Sequence, residues 1–263
     1  MDQLLAEIRK IPPVTRFVCG SSLGVTGSVI LGAVAPYTVL FVKDFVFKRL
    51  QLWRLYTAFF FGGGGIQYIF EFVMLYRTVN DLETKSYSNR SADFAWQLFW
   101  ACGGILATTL PLRTYIFTRP LLVSLIYLYS ALAPPGSMTS IMGLLTVPIQ
   151  YYPYIMIGLD FIMGGPQAAG QAVAGAVVGH AWWWSVWGAG LGGQGPLASY
   201  SAAPQWLRNF FGERGPANQP PAAGGTAAGL AQGGVHVTAP RRPAENAGAS
   251  TGHRWGSGQR LGS

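Results

Sequence analysis

The sequence predicts an all-α polytopic membrane protein, a bundle of six helices with a disordered C-terminal tail, on three observations. First, 50% of the 263 residues are hydrophobic and 11% are charged, with a mean hydropathy of +0.30; soluble domains carry about 25% charged residues. Second, charge is missing from long stretches. Residues 17–42 hold no ionisable side chain but Cys19 and Tyr37, and residues 120–159 hold no Asp, Glu, Lys, Arg or His. A helix crosses a bilayer core with about 20 apolar residues, a length these stretches reach. Third, from Gly188 onward the chain turns to Gly, Ala, Pro and Gln. Such a composition lacks the apolar content to offset the entropy of ordering.

The elements follow in order. Leu4, Leu5, Ile8 and Ile11 stand at helical spacing with Asp2, Glu7, Arg9 and Lys10 on the remaining positions. This gives residues 1–16 an amphipathic helix suited to a membrane surface. Pro12-Pro13 ends it, because the residue before a proline is pushed out of the helical region. The stretch is too polar for a cleavable signal peptide, so the first apolar run is expected to act as an uncleaved anchor. The membrane domain, residues 17–187, divides into spans at about 17–41, 55–76, 94–110, 121–132, 149–163 and 168–187. Between the first two lies KDFVFKRLQLWR, residues 43–54, which is too polar to span and too apolar for an ordinary loop. GGGG at 62–65 loosens the start of the second span, APPG at 133–136 ends the fourth, and GGPQ at 164–167 closes the fifth. Residues 188–263 form the tail, in which the aromatics of 206–211 can still touch a membrane surface.

The net charge is +8 with a pI of about 9.7. Its basic residues sit in short loops and in the tail, as charge flanking membrane segments does, and not on one polar face as a nucleic-acid surface requires. An even number of spans puts both termini on one side. That side carries Arg9, Lys10, Arg16, Arg77, Lys85, Arg90, Arg208 and Arg214, against Lys43, Lys48, Arg49, Arg54, Arg113 and Arg119 on the other. The bias favours cytosolic termini. The glycosylation sequon Asn89-Arg90-Ser91 then faces the cytosol and should stay unmodified. Cys19 and Cys102 fall inside apolar runs, so no structural disulfide is expected. No metal cluster is expected either, since His236 and His253 belong to the tail, and no cofactor is implied.

Three constellations could carry chemistry. Trp53-Arg54 ends the interfacial stretch. Trp favours the headgroup level, and Arg can bond phosphates or cap helix-end carbonyls. Glu71 and Asp160 place carboxyls inside spans, where each costs about 3 kcal/mol on insertion scales and faces a bundle interior or water. Glu71 lies close enough to the span end to reach the interface, and the two acids could share a polar cavity. GAVVGH, residues 175–180, spaces Gly175 and Gly179 four apart, which forms a groove for a neighbouring backbone. Gly20 and Gly24 match the same spacing. His180 follows directly. It either donates one hydrogen bond in the bundle or serves as base to Ser124 or Ser130, neither of which has a Gly-x-Ser-Gly context.

Several stretches, in order, resemble the derlin family, rhomboid-like pseudoproteases of the endoplasmic reticulum. They are IPPVTR (11–16), LQLWRLYTAFFFGG (50–63) with its Trp-Arg pair, LYRTVNDLE with RSADF (75–94), GLLTVPIQYYPYIMIG (143–158) and GAVVGH. The resemblance implies a six-helix rhomboid-like fold without protease activity, in the endoplasmic reticulum membrane. It implies a part in endoplasmic-reticulum-associated degradation, moving misfolded client proteins to the cytosol beside a membrane ubiquitin ligase complex and thinning the lipid locally. Trp53 and Arg54 then belong to a lipid-perturbing loop, and Gly175, Gly179 and His180 to a helix-packing seam. Two departures stand out: Glu71 occupies a position where the family carries an amide, usually Asn, and residues 132–140 lack the family's basic residues. A fourth span of about 12 residues, roughly 18 Å long against a core near 30 Å, offers a physical route to thinning.

The last residues contain WGSGQRLG, which resembles the SHP box by which some derlins recruit a cytosolic AAA+ unfoldase, valosin-containing protein. Trp255 and Leu261 can fill separate apolar pockets. Gly256, Gly258 and Gly262 let the backbone lie close to a partner, and Arg260 adds a charge-assisted contact. The preceding tail then acts as a tether that raises the unfoldase's effective concentration. Two other readings compete. An active rhomboid-type intramembrane serine protease needs a Ser–His pair, and a small-solute transporter should show an internal repeat, which is not seen.

Overall fold

The computed structural model describes residues 7, 10–141, 145–188 and 195–213. Most of the expected surface helix and the whole motif at 255–262 lie outside these residues.

Helix α1 (Pro13–Ile30) opens on the same Pro-Pro pair that was expected to close the segment before it. Proline suits a first helical position because its φ is already helical and its missing N–H would be unpaired there. The other free donors of this end go to Glu83, whose carboxylate accepts from Val14 N at 3.0 Å, Thr15 N at 2.7 Å and Thr15 Oγ1 at 2.8 Å. The helix stops at Ile30, well short of the expected 41, where Gly32 takes a left-handed conformation (φ 71°). Two short helices follow, α2 (Pro36–Val39) and α3 (Lys43–Arg49).

The expected second span is two helices. Helix α4 (Trp53–Phe60) and helix α5 (Gly65–Asp81) meet at 93° across the glycine run. Gly63 and Gly65 both adopt φ 77°, a conformation that favours glycine. The bend is held from α1, since Thr26 Oγ1 donates to Phe60 O and accepts from Gly62 N. A π-helical turn, Leu82–Ser86, extends α5 and carries Glu83 to the start of α1. Helix α6 (Ser91–Thr109) and helix α7 (Thr118–Leu132) are next, then a hairpin of β1 (Met138–Ile141) and β2 (Leu145–Pro148) in antiparallel register.

Helix α8 (Tyr152–Trp187) contains the expected break between fifth and sixth spans at Gly165 (φ 72°, ψ −169°) and Pro166. Its halves run in opposite directions along α7. In the first half, Asp160 meets Arg119 at the start of α7. In the second, Gly175 lies on Pro120, Gly179 on Ser124 and His180 against Tyr127.

Helix α7 is therefore the axis of the bundle. Of its residues only Ala131 is exposed. This corrects the expectation that a short fourth span thins the bilayer, because a helix enclosed by its neighbours does not set the outer boundary. A shorter segment, residues 152–164 of α8, faces outward through Tyr154, Phe161, Ile162 and Met163.

The tail boundary also moves. Disorder was expected from Gly188, yet residues 195–213 pack onto α6 and end in helix α9 (Gln205–Phe211). Arg208 Nη2 and Ala203 N both donate to Asp93 Oδ1 at 2.8 Å, and Glu213 accepts from Ala92 N at 2.9 Å. Trp206 and Phe210 remain exposed. Among the described residues no single helix is long and apolar enough to cross a membrane; the bent pair Trp53–Phe60 with Gly65–Ser86 reaches that length and composition together.

Candidate functional site

Three arrangements hold the residues singled out in the sequence. The first is a charged cavity of about 390 Å³ between the α4–α5 bend, α7 and both sides of the break in α8. Arg119, at the first turn of α7, donates from Nε to Asp160 Oδ1 at 2.7 Å and from Nη1 to Glu71 Oε1 at 3.2 Å. Arg119 Nη2 also pairs with Asp160 Oδ1. Gln67, one turn before Glu71 on α5, donates to the same Glu71 oxygen at 3.2 Å. Glu71 and Asp160 thus share one cavity, bridged by a cation. Sequence reasoning counted Arg119 as a loop charge and missed the bridge. The signal was available: two acids inside apolar helices call for a cation, and Arg119 is the basic residue that directly precedes the run 120–159, which holds no Asp, Glu, Lys, Arg or His.

The second arrangement is the loop between α1 and α4. Arg54 is 6% exposed. It donates from Nη1 to the carbonyls of Tyr37 (2.6 Å) and Leu40 (3.1 Å) and from Nε to Gln51 Oε1 (2.6 Å), and its guanidinium lies 5.0 Å from the Phe45 ring. Of the two roles open to it, it caps carbonyls, and so ties α2 and α3 to α4. Thr57 Oγ1 adds a bond to Val39 O at 3.0 Å. Trp53 beside it points away and is 56% exposed, along with Phe47, Leu50 and Leu52. The loop presents an apolar surface tied down from below by one buried arginine. On the exposed side of α3, the Lys48 ammonium holds the Asp44 carboxyl below its ordinary value.

The third is the seam between α7 and the second half of α8. A Cβ on Gly175 would run into the Pro120 carbonyl, and one on Gly179 would meet Ser124 O and Tyr127 Cβ at 2.7 Å. Both glycines therefore let backbone touch backbone. His180 follows them but is exposed, and its Nδ1 shares a 2.8 Å hydrogen bond with Tyr127 Oη. Ser124 is buried and its hydroxyl donates to Leu121 O at 2.8 Å. The structure does not bring His180 to Ser124.

A further polar node was missed by sequence reasoning. Gln97 on α6 accepts from Tyr87 Oη and from Trp182 Nε1 (2.9 Å), and donates to Ser201 O (3.1 Å). Burial pushes the Tyr87 phenol well above its ordinary value. With Asp93, Arg208 and Glu213, this node fastens residues 195–213 to the bundle. Burial also raises Glu213, against the lowering effect of the Ala92 N–H it accepts.

A sequence profile of the Der1-like family matches residues 11–197. Derlin-1 of Oryza sativa subsp. japonica is 32% identical over 209 residues, covering 75% of this chain and 82% of that protein. Derlin-1 of Arabidopsis thaliana is 30% identical over 208 residues, covering 76% and 74%. Derlin-1 of Homo sapiens is 28% identical over 263 residues, covering 97% and 96%.

Proposed function

The chain belongs to the Der1-like family, and on that premise we propose that it is a derlin-like, multi-pass component of endoplasmic-reticulum-associated degradation with cytosolic termini. In this reading it aids retrotranslocation of misfolded proteins by thinning the membrane locally. It works beside a membrane ubiquitin ligase complex and recruits the AAA+ unfoldase through Trp255, Gly256, Gly258, Arg260, Leu261 and Gly262. The observation that carries the reading is the reach of the family match, which takes in the bundle from α1 to the end of α8.

Two features of the fold support the thinning part. Residues 152–164 make about 20 Å of outward-facing helix, well short of a core near 30 Å. A segment this short draws the bilayer in around it. The pinned loop adds a second perturbation, because Trp53 with Phe47, Leu50 and Leu52 presents an apolar surface to the headgroup level. The reading has no protease step. Its support is that His180 is paired with Tyr127 and that the Ser124 hydroxyl is spent on Leu121 O.

Degradation of a misfolded membrane client, followed by chase in cells depleted of this chain, tests the proposal. Depletion should lengthen the client's half-life and the full chain should restore it. Trp53→Ala with Arg54→Ala should fail to restore it, and Trp255→Ala should fail while also losing the unfoldase from pull-downs. An unchanged half-life on depletion would overturn the reading. A serine-directed probe that labels the chain and is lost in Ser124→Ala or Ser130→Ala would favour the protease instead.

A further inference from the structure

The stretch KDFVFKRLQLWR, residues 43–54, carries positive charge that its own residues leave unbalanced. Four basic side chains stand against one acid. That acid, Asp44, is taken by Lys48 at 2.9 Å. Arg49 and Arg54 both hold their guanidiniums 5.0 Å from the Phe45 ring, so one ring keeps two like charges near each other. Among the described residues no carboxylate forms an ion pair with Lys43, Arg49 or Arg54. Arg54 spends its hydrogen bonds on neutral oxygens, those of the Gln51 amide and the Tyr37 and Leu40 carbonyls. Like charges gathered without a counter-charge favour an anion from outside.

The surroundings say what carries that anion. Arg54 is enclosed, but Lys43, Lys48 and Arg49 are exposed. They stand among exposed apolar side chains, Phe47, Leu50, Leu52 and Trp53. Leu50 ends α3 in a left-handed conformation (φ 51°), a strained state for a bulky residue, and its side chain stays uncovered. With cytosolic termini this loop lies on the far side of the membrane, where basic residues are ordinarily sparse. Cations set among exposed apolar groups on a surface segment suit the headgroup layer of a bilayer. There the apolar groups enter the acyl boundary and the cations meet phosphates. A zwitterionic headgroup brings no net charge to such a surface, whereas an anionic one balances it.

We propose that the exposed face of α3 is a docking surface for anionic phospholipids. Lys43 and Arg49 draw the headgroups in, while Phe47, Leu50, Leu52 and Trp53 enter the acyl boundary beside them. The phosphate contact open to Arg54 in the sequence thus passes to Arg49, which shares the Phe45 ring with it. The inference rests on the reading of this loop as one that meets lipid, and it names the lipid class.

The test captures the lipid at α3. The full chain, with a photoreactive benzophenone side chain at position 47, is reconstituted in nanodiscs of equal parts phosphatidylcholine and phosphatidylglycerol. Light links it to its neighbours, and mass spectrometry identifies them. Phosphatidylglycerol should be captured at least about fivefold more often than phosphatidylcholine. Lys43→Gln combined with Arg49→Gln should bring capture close to parity, whereas Arg49→Lys should keep the preference. Asp44→Asn releases Lys48 and should raise the preference further, a gain that damage to the fold would not produce. Equal capture of the two lipids by the otherwise unaltered chain would overturn the proposal while leaving the loop in contact with the membrane. Capture of no lipid would overturn the proposal together with the membrane contact it rests on. A preference that survives the double variant would also overturn it, because the charge responsible would lie elsewhere.

Discussion

Two helical glycine pairs spaced four apart, Gly20/Gly24 on α1 and Gly175/Gly179 on α8, are the same motif and do opposite things. At Gly175 and Gly179 a Cβ would strike the backbone of α7, whereas at Gly20 and Gly24 it would meet nothing within 4 Å. The difference lies in the neighbour. Helix α7 brings its Pro120 and Ser124 backbone to the second half of α8, while the glycines of α1 face outward into open space. The opposite flank of 166–187 repeats the lesson. Toward α6 it leaves an apolar groove of about 700 Å³ lined by Trp96, Trp100, Gly104, Ala181 and Trp184. There the nearest neighbour of a Cβ on Gly104 is only the side chain of Val178, at 3.3 Å. Small residues build a seam only where backbone faces backbone.

Substitutions can break this contrast, starting with the strongest. Gly175→Val should cost more than about 3 kcal/mol, because a backbone carbonyl cannot move out of the way as a side chain can. The purified variant should lose its cooperative melt in detergent. Gly179→Ala should cost about 1–3 kcal/mol, since Tyr127 Cβ and Ser124 O must both give by several tenths of an ångström. Gly104→Ala should stay within about 1 kcal/mol, with the Val178 side chain absorbing the contact. Gly24→Ala should be slightly stabilising, by up to about 1 kcal/mol, as alanine gains helix propensity without a clash. A Gly24→Ala loss equal to that of Gly179→Ala would erase the distinction between the pairs.

The smallest effect concerns the strap on α6. Burial raises the Glu213 carboxyl in the folded state. A raised folded value means that the folded protein binds the proton more tightly than the unfolded chain. Its contribution is therefore complete below the ordinary carboxylate range and is lost as pH rises through the folded value. Amide exchange in 195–213 should quicken slightly as pH rises through that window, once corrected for intrinsic rates, and Glu213→Gln should remove the trend.

Much of this was legible in sequence, and the rest was hidden for physical reasons. The break at Gly164–Pro166 and the end of α7 before APPG were visible because Gly and Pro act locally. The glycine run at 62–65 was seen, but its effect was underestimated: apolar residues continue on both sides, so periodicity reads one span where the backbone turns by 93°. The central place of α7 was not legible. An all-apolar helix suits a lipid face as well as a bundle core, and its pattern does not separate the two. The ordered stretch 195–213 was missed because composition argued for disorder, whereas its order rests on a few specific bonds from Ser201, Ala203, Arg208 and Glu213. Arg54 was found, and its choice between phosphate and carbonyl was decided only by the folded loop, which brings Tyr37 and Leu40 to it.

The enclosed α7 and the short outward segment 152–164 together make the thinning claim specific to one side of the protein. Cryo-electron microscopy of the chain in nanodiscs measures bilayer thickness around its perimeter directly. Beside Phe161, Ile162 and Met163 the hydrocarbon core should narrow toward the roughly 20 Å spanned by 152–164. A uniform core of about 30 Å around the whole perimeter would contradict the account.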